Sequence, residues 1–134
     1  SMTSMAAGYG IKINGSIPDP IIMNNWLKEN GGFVGGDLFV WDSVRPLGLI
    51  WQGIVFDPFT AMNLMKQGYN VILNVLGGHH YVLALAPNEV GFDVMDPGFI
   101  KNSYTFQDVV RYSYYKYVGP NTDEEEEGSE EYYF

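Results

Sequence analysis

The stretch GGHHYVLALAPNEVGFDVMDPG, residues 77–98, decides how the rest of the chain is read. Two histidines head an apolar run, Pro-Asn interrupts it, a second run follows, and Asp-Pro-Gly closes it. Short runs rich in Val, Leu and Phe, bounded by Gly and Pro, are the pattern of strands joined by tight turns. Side chains alternate along a strand, so His80, Val82 and Ala84 share one face while His79 and Tyr81 share the other. Sixteen residues separate His80 from Asp96. A hairpin of that length can set the head of one strand beside the end of its antiparallel neighbour. The Asp96 carboxylate would then accept a hydrogen bond from one imidazole nitrogen and fix the tautomer. Pro97 and Gly98 would turn the chain away and leave Asp96 on a rim. The plainer alternative makes His79 a solvated edge residue and Asp96 a turn former. A metal site is disfavoured, because adjacent strand histidines point apart and the other ligand candidates are scattered acids.

Upstream the period changes from strand to helix. Residues 3–8 read as the end of a helix stopped by Gly8 and Gly10. Residues 19–29 read as a helix with Asp19 as N-cap and Pro20 in the first turn, presenting Ile22, Trp26 and Leu27 on one face. Residues 57–67 repeat the Asp-Pro start, with Phe59, Met62 and Met65 as a core-facing stripe. Residues 33–41 are short and Gly-interrupted, Trp41-Asp42 leads into a short helix or turn, and residues 53–56 read as a strand. Downstream of residues 70–76, 80–86 and 90–95, all strand-like, residues 104–112 read as a late helix and 114–118 as a final strand. The short connections favour hairpins over crossovers. The fold class expected is α+β, with N-terminal helices packed on a C-terminal antiparallel sheet.

The 134 residues suffice for one domain with a sizeable core. Formal net charge is −9, yet seven acids sit in the tail: Asp123, Glu124 to Glu127, Glu130 and Glu131. The body keeps nine acids against seven bases. A near-neutral body gives no electrostatic reason to bind nucleic acid, which needs clustered Lys and Arg. We therefore divide the chain into a domain over 1–119 and an acidic tail over 120–134. Self-repulsion is expected to keep that tail disordered, with its terminal Tyr-Tyr-Phe available to a partner. No apolar run approaches the ~18 residues of a membrane span, and no signal peptide is visible. The absence of cysteine excludes disulfides and thiolate metal sites. No cofactor is called for. Trp26, Trp41 and Trp51 are expected in the core or along a cleft wall.

Three segments together resemble one family. SIPDPIIMNNWLKENGGF is similar to the Pro-x-x-x-Asn-x-Trp-Leu segment of papain-like cysteine peptidases of family C-39 and their relatives, matching at Pro20, Asn24, Trp26 and Leu27. HYVLALA resembles that family's His-aromatic-Val strand, and VMDPG resembles its Asp-Pro strand end. Order and spacing agree, and the resemblance covers roughly residues 3 to 118. It implies a papain-like fold, His80 as base and Asp96 as its partner. It also implies a Cys nucleophile at the start of the first helix and an upstream Gln for the oxyanion hole. A helix N-terminus and a neighbouring imidazolium would lower the thiol pKa. MTSMAAGYG looks like the segment just after that cysteine, so the Cys should fall at or immediately before Ser1. Neither Cys nor that Gln is present, so the chain is either cut there or a variant without a nucleophile. Hydroxyls of Ser1, Thr3 or Ser4 would be far poorer replacements. The substrate implied is a peptide or peptidoglycan amide bond. The alternative function is a non-catalytic binding or structural module that engages a protein partner or enters an oligomer or larger assembly. WLKENGGF also resembles domains of phage particles and cell-wall lysins, which points to a virion-associated or extracellular setting.

Overall fold

The computed structural model describes residues 2–35, 38–95 and 101–119. Asp96, Ser1 and the acidic tail lie outside the described residues. Helix α1 spans Met2–Gly8 and α2 spans Pro20–Glu29. Strands β1 (Phe33–Val34) and β2 (Leu38–Phe39) pair as a small separate sheet. A 3-10 turn over Trp41–Leu47 leads into β3 (Leu49–Val55). Then come α3 (Pro58–Lys66), β4 (Asn70–Val75), β5 (His80–Pro87), β6 (Gly91–Met95), β7 (Ser103–Thr105) and β8 (Arg111–Tyr117). The main sheet has six strands in the order β3-β8-β4-β5-β6-β7, with every neighbouring pair antiparallel. The class is α+β. No helix among the described residues is long and apolar enough to cross a membrane.

Both Asp-Pro starts work as read. The Asp19 carboxylate accepts from the Ile22 backbone N–H at 2.8 Å, and Asp57 does the same for Thr60 at 2.9 Å. Each supplies an acceptor to a helix end whose first amides have no carbonyl of their own. The inward faces differ from expectation. In α2 the buried pair is Met23 and Leu27, flanked by half-buried Ile22 and Trp26. In α3 the buried residue is Ala61, with Met62, Leu64 and Met65 packed around it, while Phe59 is 66% exposed. Close approach of α3 to the sheet requires the small Ala at the centre of contact and rotates Phe59 outward.

Residues 104–112 are a correction. Thr105 and Asp108 do form a reciprocal capping box, but it starts only the 3-10 turn Phe106–Asp108. Strand β7 precedes that turn and β8 follows it. The β-branched and aromatic run Val109-Val110-Arg111-Tyr112-Ser113-Tyr114-Tyr115 fits the slot between β3 and β4 better than another helical turn. Because β8 fills that slot, β3 and β4 run parallel and α3 is a crossover between them, where short hairpins alone were expected. The stretch after β7 crosses the α3 side of the sheet, with Phe106 edge-on to Phe92 at 5.5 Å.

The two sheet faces carry separate cores. Val71, Leu73, Val75, Val82, Ala84, Phe92, Val94 and Tyr112 pack on the α3 side. Ile72, Leu83, Leu49 and Tyr115 pack on the other side with Met2, Met5 and Ala6 of α1 and Met23 and Leu27 of α2. Burial on both faces explains why β4 reads as a continuous apolar run rather than an alternating one. Half-buried Trp26, Trp41 and Trp51 pack against the second core.

Tyr112 carries the first testable consequence. Its side chain is 1% exposed, and its hydroxyl is buried with no hydrogen-bond partner among the described residues. Burial, with the Asp57 charge adding to it, pushes the phenol up to about 12. An unfolded tyrosine titrates near 10. The unfolded chain therefore loses this proton first as pH rises, and stability present below pH 10 is lost between there and about 12. Tyr112→Phe removes a buried hydroxyl that has no partner. It is expected to leave stability at neutral pH unchanged or raise it by up to ~1 kcal/mol, and to flatten the alkaline loss. Urea midpoints at pH 7 and above pH 10 check both halves of this.

Candidate functional site

The head of β5 is where the singled-out residues can be located. β4 ends at Val75, the chain makes a 3-10 turn over Leu76–Gly78, and β5 begins at His80, directly opposite Val75. His80 is half-buried and His79 is exposed. Val75 belongs to the α3-side core, as do Val82 and Ala84. Register and alternation therefore put His80 on the α3 face, with the companions expected of it. Tyr81 lies on the opposite face, paired with Asn74. β6 runs back toward this same end of the sheet, and its last described residue, Met95, pairs with Leu83.

On Tyr81's face the site has an aromatic wall. The Tyr81 ring meets Trp41 edge-on at 5.2 Å, Trp41 meets Phe39 at 5.2 Å, and Phe39 meets Phe33 at 6.3 Å. The wall is fastened to the sheet by Tyr115, whose hydroxyl donates to the Trp41 carbonyl at 2.6 Å. Burial holds the Tyr115 phenol well above its usual range, with the Asp42 charge a smaller cause, so it remains a donor at any physiological pH. The 3-10 turn carrying Trp41 is thereby held against β8, and the Trp41–Tyr81 contact brings it to the strand that carries His80.

The C-terminal end of α1 is anchored elsewhere on the sheet. Tyr9, just past that helix, stacks on Tyr117 at 3.9 Å between ring centroids, and its hydroxyl accepts from the Asn70 side-chain amide at 2.5 Å. Asn70 begins β4 and Tyr117 ends β8, so the C-terminal end of α1 is pinned at the end of the sheet opposite His80.

Asn74 is a residue that reading the sequence did not single out. It is 1% exposed in a strand whose neighbours are buried and apolar. Its side-chain amide donates to the His80 carbonyl at 3.2 Å, and its own backbone carbonyl accepts from Val110 at 2.8 Å. The available signal was a lone carboxamide inside NVILNVL, where a buried strand otherwise takes Val, Ile or Leu.

Comparison with protein-family models, characterised proteins and solved structures found no match to this chain.

Proposed function

We propose that the chain is the body of a papain-like cysteine-peptidase domain of the C-39 kind, hydrolysing peptide or peptidoglycan amide bonds, with His80 as base and Asp96 orienting it. The chain has no cysteine and is inactive as it stands. The observation that supports the reading is where α1 ends: its C-terminal end is pinned at Asn70 and Tyr117, away from His80. The reading requires its N-terminal end, where a nucleophile would sit, to approach the end of the sheet where β5 begins. A helix start supplies partial positive charge, and an imidazolium supplies more, so a thiol there would ionise near neutral pH.

The reading sets two conditions. Asp96 must fall on the α3 face with His80. The thiol must reach His80 around the head of β5, because α1 covers the other face. The experiment restores the missing group with Ser1→Cys, or a Cys inserted directly before Ser1, behind a short leader that blocks the amino terminus. Hydrolysis of a peptide or muropeptide that needs both the thiol and His80 is the expected result. A folded, inert protein whose thiol titrates as free cysteine would overturn the reading.

A second reading is favoured by the literal sequence and by the half-buried aromatic wall of Phe33, Phe39 and Trp41: a binding or structural module without chemistry. Hydrolysis by the unaltered 134-residue chain, abolished by His80→Ala, would refute it.

A further inference from the structure

The turn ahead of His80 is built against backbone preference. Leu76, Gly77 and Gly78 have φ of 53, 67 and 98° in succession. Glycine adopts such angles freely, but leucine does not. Leu76 is 49% exposed, so its burial does not offset the strain. Non-glycine residues in this region persist where surrounding contacts over-determine them, and they cluster at functional sites.

Asn74 is the contact that closes on this turn. Its side-chain N–H donates to the His80 carbonyl, across the turn from its own strand. Its Oδ1 faces the turn: a Cβ added to Gly78 would stand 3.7 Å from it. That oxygen is buried with no hydrogen-bond partner among the described residues. Strand stability alone would be better served by an apolar side chain, because an unpartnered buried carboxamide oxygen carries a desolvation cost. The Val110 amide fixes the Asn74 backbone at the same point, so the carboxamide works from a rigid base.

From this we infer that Asn74 is a positioning residue for His80. It clamps the Leu76–Gly78 turn and fixes the first residue of β5, so that the imidazole leaves a backbone held on both sides of the turn. The inference rests on the reading of His80 as a functional base, but its test needs no catalysis.

The chain has two histidines, so both imidazoles can be followed by NMR, with His79→Gln assigning them. Asn74→Leu keeps the branched shape of the side chain and removes the clamp. The expected result is a folded protein in which the His80 ring resonances and tautomer change while those of His79 stay put. Should Asn74→Leu fail to fold, Asn74→Ser is read by the same criterion. A folded variant with both histidines unchanged overturns the inference. The same spectra of Asp96→Asn keep the two inferences apart. If His80 ignores Asp96→Asn but answers to Asn74→Leu, the proposed His80–Asp96 pair fails and the clamp stands. The converse sinks the clamp alone.

Discussion

Gly48→Ala is expected to destabilise the protein by about 3–5 kcal/mol, a size reached only by a few named mechanisms. Two of them act here together. Gly48 ends the 3-10 turn of Trp41 with φ 87°, and a left-handed residue with a side chain costs roughly 1–2 kcal/mol. The added Cβ would also stand 1.9 Å from the Gly119 carbonyl oxygen and 2.7 Å from its carbon. Those are backbone atoms of the chain just past β8, so no side chain can swing aside. The Gly48 carbonyl moreover accepts from Val118 at 2.9 Å, so relief of the clash breaks the join between β3 and β8. Gly10 is the control. Its φ is 67°, but nothing lies within 4 Å of an added Cβ, so Gly10→Ala should cost only the backbone term of about 1 kcal/mol. Thermal or urea unfolding of the two variants separates strain from collision. Equal losses would show that the β3–β8 join is looser than described.

In a chain given a thiol at the start of α1, His80→Ala is expected to lower hydrolysis by roughly 10²–10⁴-fold, the usual worth of a positioned base. Alkylation of the thiol offers the same test without a substrate. Its pH midpoint should lie a unit or more below the ~8.5 of free cysteine and return there in His80→Ala. His79→Ala is the matched control: His79 is exposed and lies in the turn ahead of β5, so it should change neither quantity. A thiol whose reactivity is the same in all three proteins would leave His80 without a catalytic role.

Much of this fold was legible because its signals are local. Asp19-Pro20 and Asp57-Pro58 each carry an N-cap acceptor and a residue that fits the first helical turn, and both open helices. The runs at 70–76, 80–86 and 90–95 became β4, β5 and β6 to within a residue or two. The faces of β5 followed from alternation, with Val82 and Ala84 on the side assigned with His80. What was not legible depends on contacts distant in sequence. Thr105 and Asp108 make a true capping box, so YTFQDVVRY carries a correct helix start. Nothing in those residues announces that β3 and β4 leave a slot for β8. Of the Phe59, Met62, Met65 stripe, Met62 and Met65 pack on the core as read, but Phe59 turns outward: how α3 rolls on the sheet depends on which residue permits the closest approach, and that is Ala61. Asn74 passed unnoticed because one polar residue hardly disturbs a strand pattern. Its meaning emerged only when its amide was found on the His80 carbonyl.

The proposal stands or falls on whether the His80 imidazole and the Asp96 carboxylate meet. Nitrogen and proton NMR of both imidazoles in the wild type and in Asp96→Asn tests this most directly. A carboxylate that accepts from one ring nitrogen fixes the tautomer, so Asp96→Asn is expected to shift the His80 ring-nitrogen resonances and leave those of His79 where they were. Identical His80 resonances in the two proteins would contradict the pairing.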